Sequence, residues 1–126
     1  MKIGTRHVRV TRRFHFDSAH RLTNYPGKCN QLHGHRWELD VTLESKVNPA
    51  TGLSTDFSDI KKIVEHEVIS VLDHQFLNQV LETEEPTAEI IILWIWNELL
   101  PIFEGSLFSL RLFESPDSWI DFDGGV

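Results

Sequence analysis

The chain has 126 residues, of which 40% are hydrophobic and 25% are charged, a composition typical of a globular domain and not of a disordered chain. Its net charge of −7 argues against nucleic acid as the main partner, and no apolar stretch approaches the ~20 residues that a membrane span needs. Because Cys29 is the only cysteine and the first residues lack the apolar segment of a signal peptide, we expect one cytoplasmic domain over residues 1–126, with no nucleic-acid or membrane partner.

Two strands are predicted in the first third of the chain. Residues 5–22 form a less regular first strand, and residues 33–44 form the clearest one, because histidine and apolar side chains alternate there with polar ones. Pro26 and Gly27 are turn residues that fit a connection between the two strands. Eight of the 12 basic residues fall within residues 1–36, and charge alone favours solvated strand faces for them.

Two helices are predicted next. Asp56 is suited to cap the first helix, whose apolar face is formed at helical spacing by Phe57, Ile60, Val64, Val68 and Val71. The acidic segment 82–87 begins the second helix, and Pro86 suits its first turn. Residues 90–100 are apolar nearly all round, which predicts a deeply covered helix that ends before Pro101.

Two further strands, residues 106–114 and 119–122, complete the pattern. The expected fold class is therefore α+β, a four-stranded antiparallel sheet with two helices packed on one face. The other face of the sheet also carries apolar residues, and the chain has no further element to cover them. This pattern predicts that the protein is a homo-oligomer.

The triplet His33-Gly34-His35 and a nearby histidine indicate a metal site. Residues i and i+2 of a strand point the same way, with Cα atoms about 6–7 Å apart, so that both imidazoles can share one ion. His20, or alternatively His15, can supply a third imidazole from the first strand. Three imidazoles with one open position are typical of catalytic zinc, although imidazole also suits nickel, copper and iron.

Cys29 is a second candidate, because it lies four residues before His33 and follows Lys28. A thiol near a metal cation and a lysine can serve as nucleophile, general base or fourth metal ligand. The alternative is an inert small side chain, which is common for cysteine. The polar neighbours favour the reactive interpretation.

Two acidic residues are further candidates. Asp73 precedes His74 after the first helix, and the pair can form a proton relay; without other context, a histidine that interacts with the helix dipole explains His74 better. Glu114 ends the apolar face of the third strand. Its carboxylate can accept two hydrogen bonds from a guanine-like ring, unless the strand simply reaches water there.

Together these segments resemble the 6-pyruvoyl-tetrahydropterin synthase family over nearly the whole chain. The matching segments, in order, are residues 16–22 (FDSAHRL), Cys29 with 33–35 (HGH), 56–59 (DFSD), 72–74 (LDH) with 77–78 (LN), 86–89 (PTAE) and 114–116 (ESP). The resemblance implies the tunnelling fold (T-fold) and a homohexamer built as a dimer of trimers, with active sites between subunits. It departs from the family at Ile90, where an asparagine is frequent.

The resemblance also implies the roles of the candidate residues. His20, His33 and His35 would bind Zn2+, which decides between His15 and His20. The catalytic residues would be Cys29, Asp73 and His74; Glu114 would anchor the pterin ring and Thr87 would lie at its pocket. Lys28 and Arg21 are hypothesised to neutralise a triphosphate.

The three residues between Cys29 and the triplet resemble the spacing of the 6-carboxytetrahydropterin synthase branch, which belongs to queuosine biosynthesis. This branch implies conversion of 7,8-dihydroneopterin triphosphate to 6-carboxytetrahydropterin, acetaldehyde and triphosphate. The alternatives are a 6-pyruvoyl-tetrahydropterin synthase, which eliminates triphosphate without carbon–carbon cleavage, and a pterin- or zinc-binding module without catalysis.

Overall fold

A computed structural model describes residues 1–125, and at Cys29 it describes the backbone alone. The elements are β1 (His7–His20), β2 (His33–Lys46), α1 (Phe57–Val64), a π-helical segment (Glu65–Ile69), α2 (Ser70–Leu72), β3 (Gln75–Phe76), α3 (Leu77–Val80), α4 (Ala88–Leu99), β4 (Leu107–Ser115) and β5 (Ser118–Phe122). A short 3-10 turn, Lys28–Asn30, lies between β1 and β2. Within residues 1–125, no helix is both long enough and apolar enough to cross a membrane.

The five strands form one sheet in the order β3-β1-β2-β4-β5. The pairs β1–β2, β2–β4 and β4–β5 are antiparallel, as expected, and β3 runs parallel to β1 through only two residue pairs. The α+β class is thus confirmed, with five strands instead of four. A two-residue strand has no periodicity for sequence reasoning to detect.

The core lies on the face of the sheet that the helices cover. Opposed pairs place Phe16 against Trp37, and neither side chain has any exposed surface. The helices and β4 add fully buried side chains from the other side: Ile60, Val64, Val68, Leu72, Ile91, Ile95, Leu99 and Leu112. The same sheet face continues beyond this core to the histidines at the end of β1 and the start of β2.

The first helix begins as expected, because the Asp56 side chain accepts a hydrogen bond from the Ser58 N–H at 2.8 Å. Its predicted apolar face is wrong at both ends: Phe57 is 51% exposed and Val71 is 37% exposed. The π-helical segment explains the error at Val71. A π turn holds one more residue than an α turn, which rotates Leu72 towards the core in place of Val71.

The second long helix, α4, begins at Ala88, later than predicted from a first turn that includes Pro86. Thr87 is its N-cap, with Oγ1 accepting from the Ile90 N–H at 3.2 Å, so that Pro86 precedes the helix and is not in its first turn. The expectation of deep cover on all sides is also wrong. Ile90 and Leu93 are each 42% exposed, because the sheet covers only one side of the helix.

The outer face of the sheet, opposite the helices, carries the expected apolar side chains, and they lie among charged pairs. Arginines pair with acids on neighbouring strands: Arg9–Glu44 at 2.7 Å, Arg13–Asp40 at 2.7 Å, Arg36–Asp17 at 2.9 Å and Arg111–Asp121 at 2.7 Å. Arginine guanidinium groups also cover its aromatic rings at 3.7 Å (Phe108), 4.9 Å (Phe113) and 5.2 Å (Trp119). The arginines therefore cover these rings in part, and Trp119 remains 48% exposed.

Candidate metal centre and active site

Three imidazole rings converge at the end of the β1–β2 hairpin. His20 lies directly opposite His33 in the antiparallel register, and Ser18 lies opposite His35. The ring centroids are 4.6 Å apart for His20 and His33, 5.1 Å for His20 and His35, and 4.8 Å for His33 and His35. Period-two alternation on both strands aims these side chains to the same face.

Backbone carbonyls orient two of these rings. The Nδ1 of His20 bonds to the Pro86 carbonyl oxygen at 2.9 Å, and the Nδ1 of His33 bonds to the Gln31 carbonyl oxygen at 2.7 Å. A carbonyl oxygen only accepts, so that Nδ1 carries the proton in each ring. The lone pair then lies on Nε2, which is the arrangement found in metal-ligating histidines.

Two of the ring nitrogens make no hydrogen bond to the described residues. The Nε2 atoms of His20 and His35 are buried and make no hydrogen bond within the described part of the chain, and His20 is only 1% exposed. Burial lowers the pKa of His20 and of His35 below the ordinary 6.5, against the opposing effect of Glu114. Both rings are therefore neutral at neutral pH, the state in which imidazole binds a metal.

Glu114, near the end of β4, completes the cluster. Its Oε1 lies 3.4 Å from the Nε2 of His35, and the four candidate ligand atoms of His20, His33, His35 and Glu114 all lie within 4.8 Å of one another. Unpartnered buried nitrogens that converge in this way fit a metal ion, which would satisfy them. We call these four residues the His–Glu cluster.

The side chain of Cys29 lies outside the described residues. Its backbone belongs to the 3-10 turn Lys28–Asn30, which precedes His33. Lys28 is exposed. Arg21 is hydrogen-bonded to Asn30, through its Nε to the main-chain oxygen at 2.6 Å, so that one edge of its guanidinium is already occupied.

Asp73 and His74 lie beside β1, where His74 lines a surface pocket together with His35. Asp73 Oδ1 accepts the Asp17 N–H at 2.9 Å, and the His74 N–H donates to the Asp17 carbonyl at 2.6 Å. His74 has φ of +57°, a left-handed conformation that is unfavourable for a residue with a Cβ, and its Nδ1 is 3.6 Å from Asp73 Oδ1. Neither residue belongs to the His–Glu cluster formed by the described residues of one chain.

Two remaining candidates have clear positions. The Thr87 hydroxyl caps α4, next to the Pro86 carbonyl that holds His20. His15 is exposed on the opposite face of the sheet, paired in register with Glu38, and so does not join the cluster. The alternation of Phe14 and Phe16 with polar residues is a sequence signal that separates His15 from His20.

Sequence reasoning missed the groups that orient the ligands. The carbonyls of Pro86 and Gln31 have no residue-type signature, because every residue carries a carbonyl. Trp37 contacts two of the rings edge to face, with ring centroids 5.3 Å from that of His20 and 5.4 Å from that of His35. Trp37 thus forms the apolar wall beneath the cluster.

The sequence of this chain is similar to a known protein family and to curated proteins. A family model described as 6-pyruvoyl tetrahydropterin synthase matches residues 9–125. The chain is 32% identical to a 6-carboxy-5,6,7,8-tetrahydropterin synthase of Rickettsia bellii, over 90% of this chain and 99% of the relative. It is 29% identical to the 6-pyruvoyl tetrahydrobiopterin synthase of Homo sapiens, over 93% and 92% of the two chains.

A solved structure gives the same picture of the fold. The 6-pyruvoyl tetrahydropterin synthase of Caenorhabditis elegans superposes with a TM-score of 0.87 at 25% identity, covering 96% of this chain and 98% of that one. The T-fold expected from the sequence is therefore confirmed.

Proposed function

The chain belongs to the 6-pyruvoyl tetrahydropterin synthase family, and from this we propose that it is a zinc-dependent 6-carboxytetrahydropterin synthase of queuosine biosynthesis. Its substrate would be 7,8-dihydroneopterin triphosphate. The products would be 6-carboxytetrahydropterin, acetaldehyde and triphosphate. At the coarser level, both the family and the relatives named as synthases support a lyase that acts on a pterin.

The observation that carries this proposal is the convergence of the imidazoles of His20, His33 and His35, with ring centroids 4.6 to 5.1 Å apart. Backbone carbonyls hold the rings of His20 and His33 in the tautomer that a metal requires, and Glu114 lies at the rim of the cluster. Three neutral imidazoles are the ligand set typical of a catalytic zinc that keeps a position open for substrate. When bound, zinc would supply Lewis-acid polarisation of the substrate's side-chain hydroxyls.

The chain's own residues supply the remaining chemistry. Glu114 would accept two N–H donors of the pterin ring and fix its orientation, with Thr87 near the ring and Lys28 near the triphosphate. The Cys29 thiolate would move the proton at the carbon next to the ring. Asp73 and His74 would relay that proton as the carbon–oxygen bond to the triphosphate breaks and triphosphate leaves. One water is then consumed as the carbon–carbon bond breaks, which releases acetaldehyde and leaves the carboxylate on the pterin.

We further propose a single cytoplasmic domain that assembles as a homohexamer, a dimer of trimers. The support for this assembly is the family resemblance, which implies active sites between subunits. Each site would then combine the metal ligands of one subunit with the proton relay of another. Assembly would depend on strand edges and on exposed helix residues such as Ile90.

A second candidate is 6-pyruvoyl-tetrahydropterin synthase activity, which eliminates triphosphate and leaves the carbon skeleton intact. The similarity to the human enzyme of that name, at 29% identity over 93% of this chain, favours keeping it. The two activities share the metal and the pterin anchor. They differ in whether a two-carbon fragment is released.

Product analysis tests the proposal. The purified protein is incubated with zinc and 7,8-dihydroneopterin triphosphate, and the products are identified by mass spectrometry, with acetaldehyde trapped as a hydrazone. We expect 6-carboxytetrahydropterin and acetaldehyde in equal amounts. A 6-pyruvoyl product without acetaldehyde would support the second candidate, and unchanged substrate would support a binding module.

A further inference from the structure

Arg21 links the end of β1 to the connection that contains Cys29. Its Nε donates to the main-chain oxygen of Asn30 at 2.6 Å and reaches Oδ1 of the same residue at 3.3 Å. Its Nη2 donates to that Oδ1 at 3.2 Å. One edge of the Arg21 guanidinium therefore donates hydrogen bonds to both acceptors of Asn30, the main-chain oxygen and the side-chain Oδ1. Charge-assisted bonds from a planar guanidinium are stronger and more directional than bonds between neutral groups.

The backbone of Arg21 is itself fixed. Asn78 Oδ1 accepts the Arg21 N–H at 2.9 Å, and Asn78 Nδ2 donates to the Arg21 carbonyl at 2.7 Å. The residue before Arg21 is His20, whose ring belongs to the His–Glu cluster. The guanidinium thus extends from a part of the sheet that also positions a candidate metal ligand.

Asn30 lies between two residues that matter to the site. Cys29 precedes it, and Gln31 follows it with the carbonyl that accepts from the Nδ1 of His33 at 2.7 Å. Asn30 also closes the 3-10 turn, because its N–H donates to the Gly27 carbonyl at 3.2 Å. Anything that fixes Asn30 therefore fixes the main chain on both sides.

We propose that Arg21 is a positioning residue, which holds Asn30 and thereby places both the Cys29 backbone and the carbonyl that orients His33. This inference rests on the proposed function for its catalytic consequence. It gives Arg21 a task other than neutralising the triphosphate. The two roles differ chemically. Neutralising a phosphate requires only the positive charge of the side chain, whereas bonding both acceptors of Asn30 requires the coplanar N–H donors of a guanidinium.

The test compares Arg21→Lys, which keeps the charge and loses the coplanar donors, with Arg21→Ala, which loses both. Arg9→Ala is the matched control, since Arg9 is an arginine of β1 whose Nε also donates to one residue, Glu44, at 2.7 Å on the outer face. Asn30→Ala removes only the hydrogen bonds from Arg21 to the Asn30 side chain and keeps the bond to the main-chain oxygen. Two readouts are taken: amide hydrogen exchange of the peptide spanning residues 27–32, and kcat and KM for 7,8-dihydroneopterin triphosphate.

We expect hydrogen exchange in this peptide to rise by about tenfold in both Arg21 variants, and to stay unchanged in Arg9→Ala. We expect kcat to fall by about tenfold or more in both Arg21 variants, with KM altered by less than about threefold. Asn30→Ala should give a smaller effect in the same direction. Lysine should fail to rescue, because it cannot bond both Asn30 acceptors from one plane.

The proposal is overturned if Arg21→Lys keeps normal kcat and exchange while Arg21→Ala only raises KM, which would make Arg21 a charge for the triphosphate. Unchanged exchange in both variants would also overturn it. If the wild-type protein does not turn over this substrate, the proposed function fails, and the exchange data still decide whether Arg21 holds the segment. If the Arg21 variants do not fold, Asn30→Ala gives the same two readouts.

Discussion

His20 and His33 face each other across the β1–β2 pair, with ring centroids 4.6 Å apart, and each donates its Nδ1 proton to a backbone carbonyl. Both carbonyls lie outside the sheet, one just before α4 and one just before β2. Three parts of the chain therefore orient the two rings: the paired strands β1 and β2, the carbonyl of Pro86 and the carbonyl of Gln31. The geometry of the site depends on the fold as a whole and not on the hairpin alone.

The role of Glu114 can be separated from that of the histidines. If Glu114 anchors the pterin, Glu114→Gln should keep the metal and lower kcat/KM by about 10²-fold or more, because the lost charge weakens the paired bonds to the ring. Metal content by mass spectrometry and steady-state kinetics measure the two effects. His35→Ala is the contrast, and it should lose metal and activity together. Loss of metal from Glu114→Gln would show instead that the carboxylate is a ligand.

Cys29 should be needed for turnover and not for metal binding. Cys29→Ala should lower kcat by about 10²-fold or more, the usual contribution of a general acid or base, and should retain the metal. Cys29→Ser tests whether an oxygen of similar size can substitute. Near-normal turnover by Cys29→Ala would exclude the proton-transfer role, and loss of metal would make the thiol a ligand.

Acidification should destabilise the metal-free protein. Burial lowers the pKa of His20 and His35 from 6.5, so that the unfolded chain binds more protons than the folded one as the pH falls through and below this value. The free energy of unfolding must then fall with pH in this range, each unit of lowering being worth at most about 1.4 kcal/mol. Carboxylates with a lowered pKa, such as Asp17, change the free energy of unfolding only at lower pH, near and below the ordinary value of 3.8.

Urea unfolding of chelator-treated protein at about pH 7.5 and about pH 5.5 measures this effect. His20→Asn is the control, because it removes one of the two titrating groups and should reduce the pH dependence. Equal stability at the two pH values in the wild-type protein would contradict neutral buried imidazoles.

The left-handed backbone at His74 predicts that a glycine at this position favours stability but lowers activity. Glycine adopts φ of +57° without strain, so His74→Gly should be more stable than His74→Ala by about 1 kcal/mol. Both variants should lose the proposed proton relay. Glu82 has φ of +51° and no proposed catalytic task, so Glu82→Gly should gain stability and keep turnover. A His74→Gly variant with normal kcat would remove His74 from the mechanism.

The sequence predicted that His33 and His35 share one face of the sheet, because strand alternation alone decides this. The residues alone left His20 and His15 as alternatives, since β1 looked irregular, and the family resemblance favoured His20. The structure places the two side chains on opposite faces of the sheet. Orientation by the Pro86 and Gln31 carbonyls could not be predicted. It arises from long-range packing, and no residue type marks it.

Local rules failed where tertiary structure changed the geometry. The π-helical segment Glu65–Ile69 rotates the following turn, which makes the simple helical spacing wrong at Val71. Apolar residues on the outer sheet face suggested an uncovered hydrophobic surface. In the structure, arginines from neighbouring strands cover those rings in part, and such cross-strand partners depend on a register that one strand's sequence does not reveal.

The convergence of three imidazoles on one ion is tested most directly by anomalous diffraction at the zinc edge, using crystals of the zinc-loaded protein. The account predicts one peak about 2.0–2.1 Å from the Nε2 atoms of His20, His33 and His35. An anomalous zinc peak at another place in the protein would contradict it. Nε2 atoms that bind only water in zinc-loaded crystals would contradict it as well.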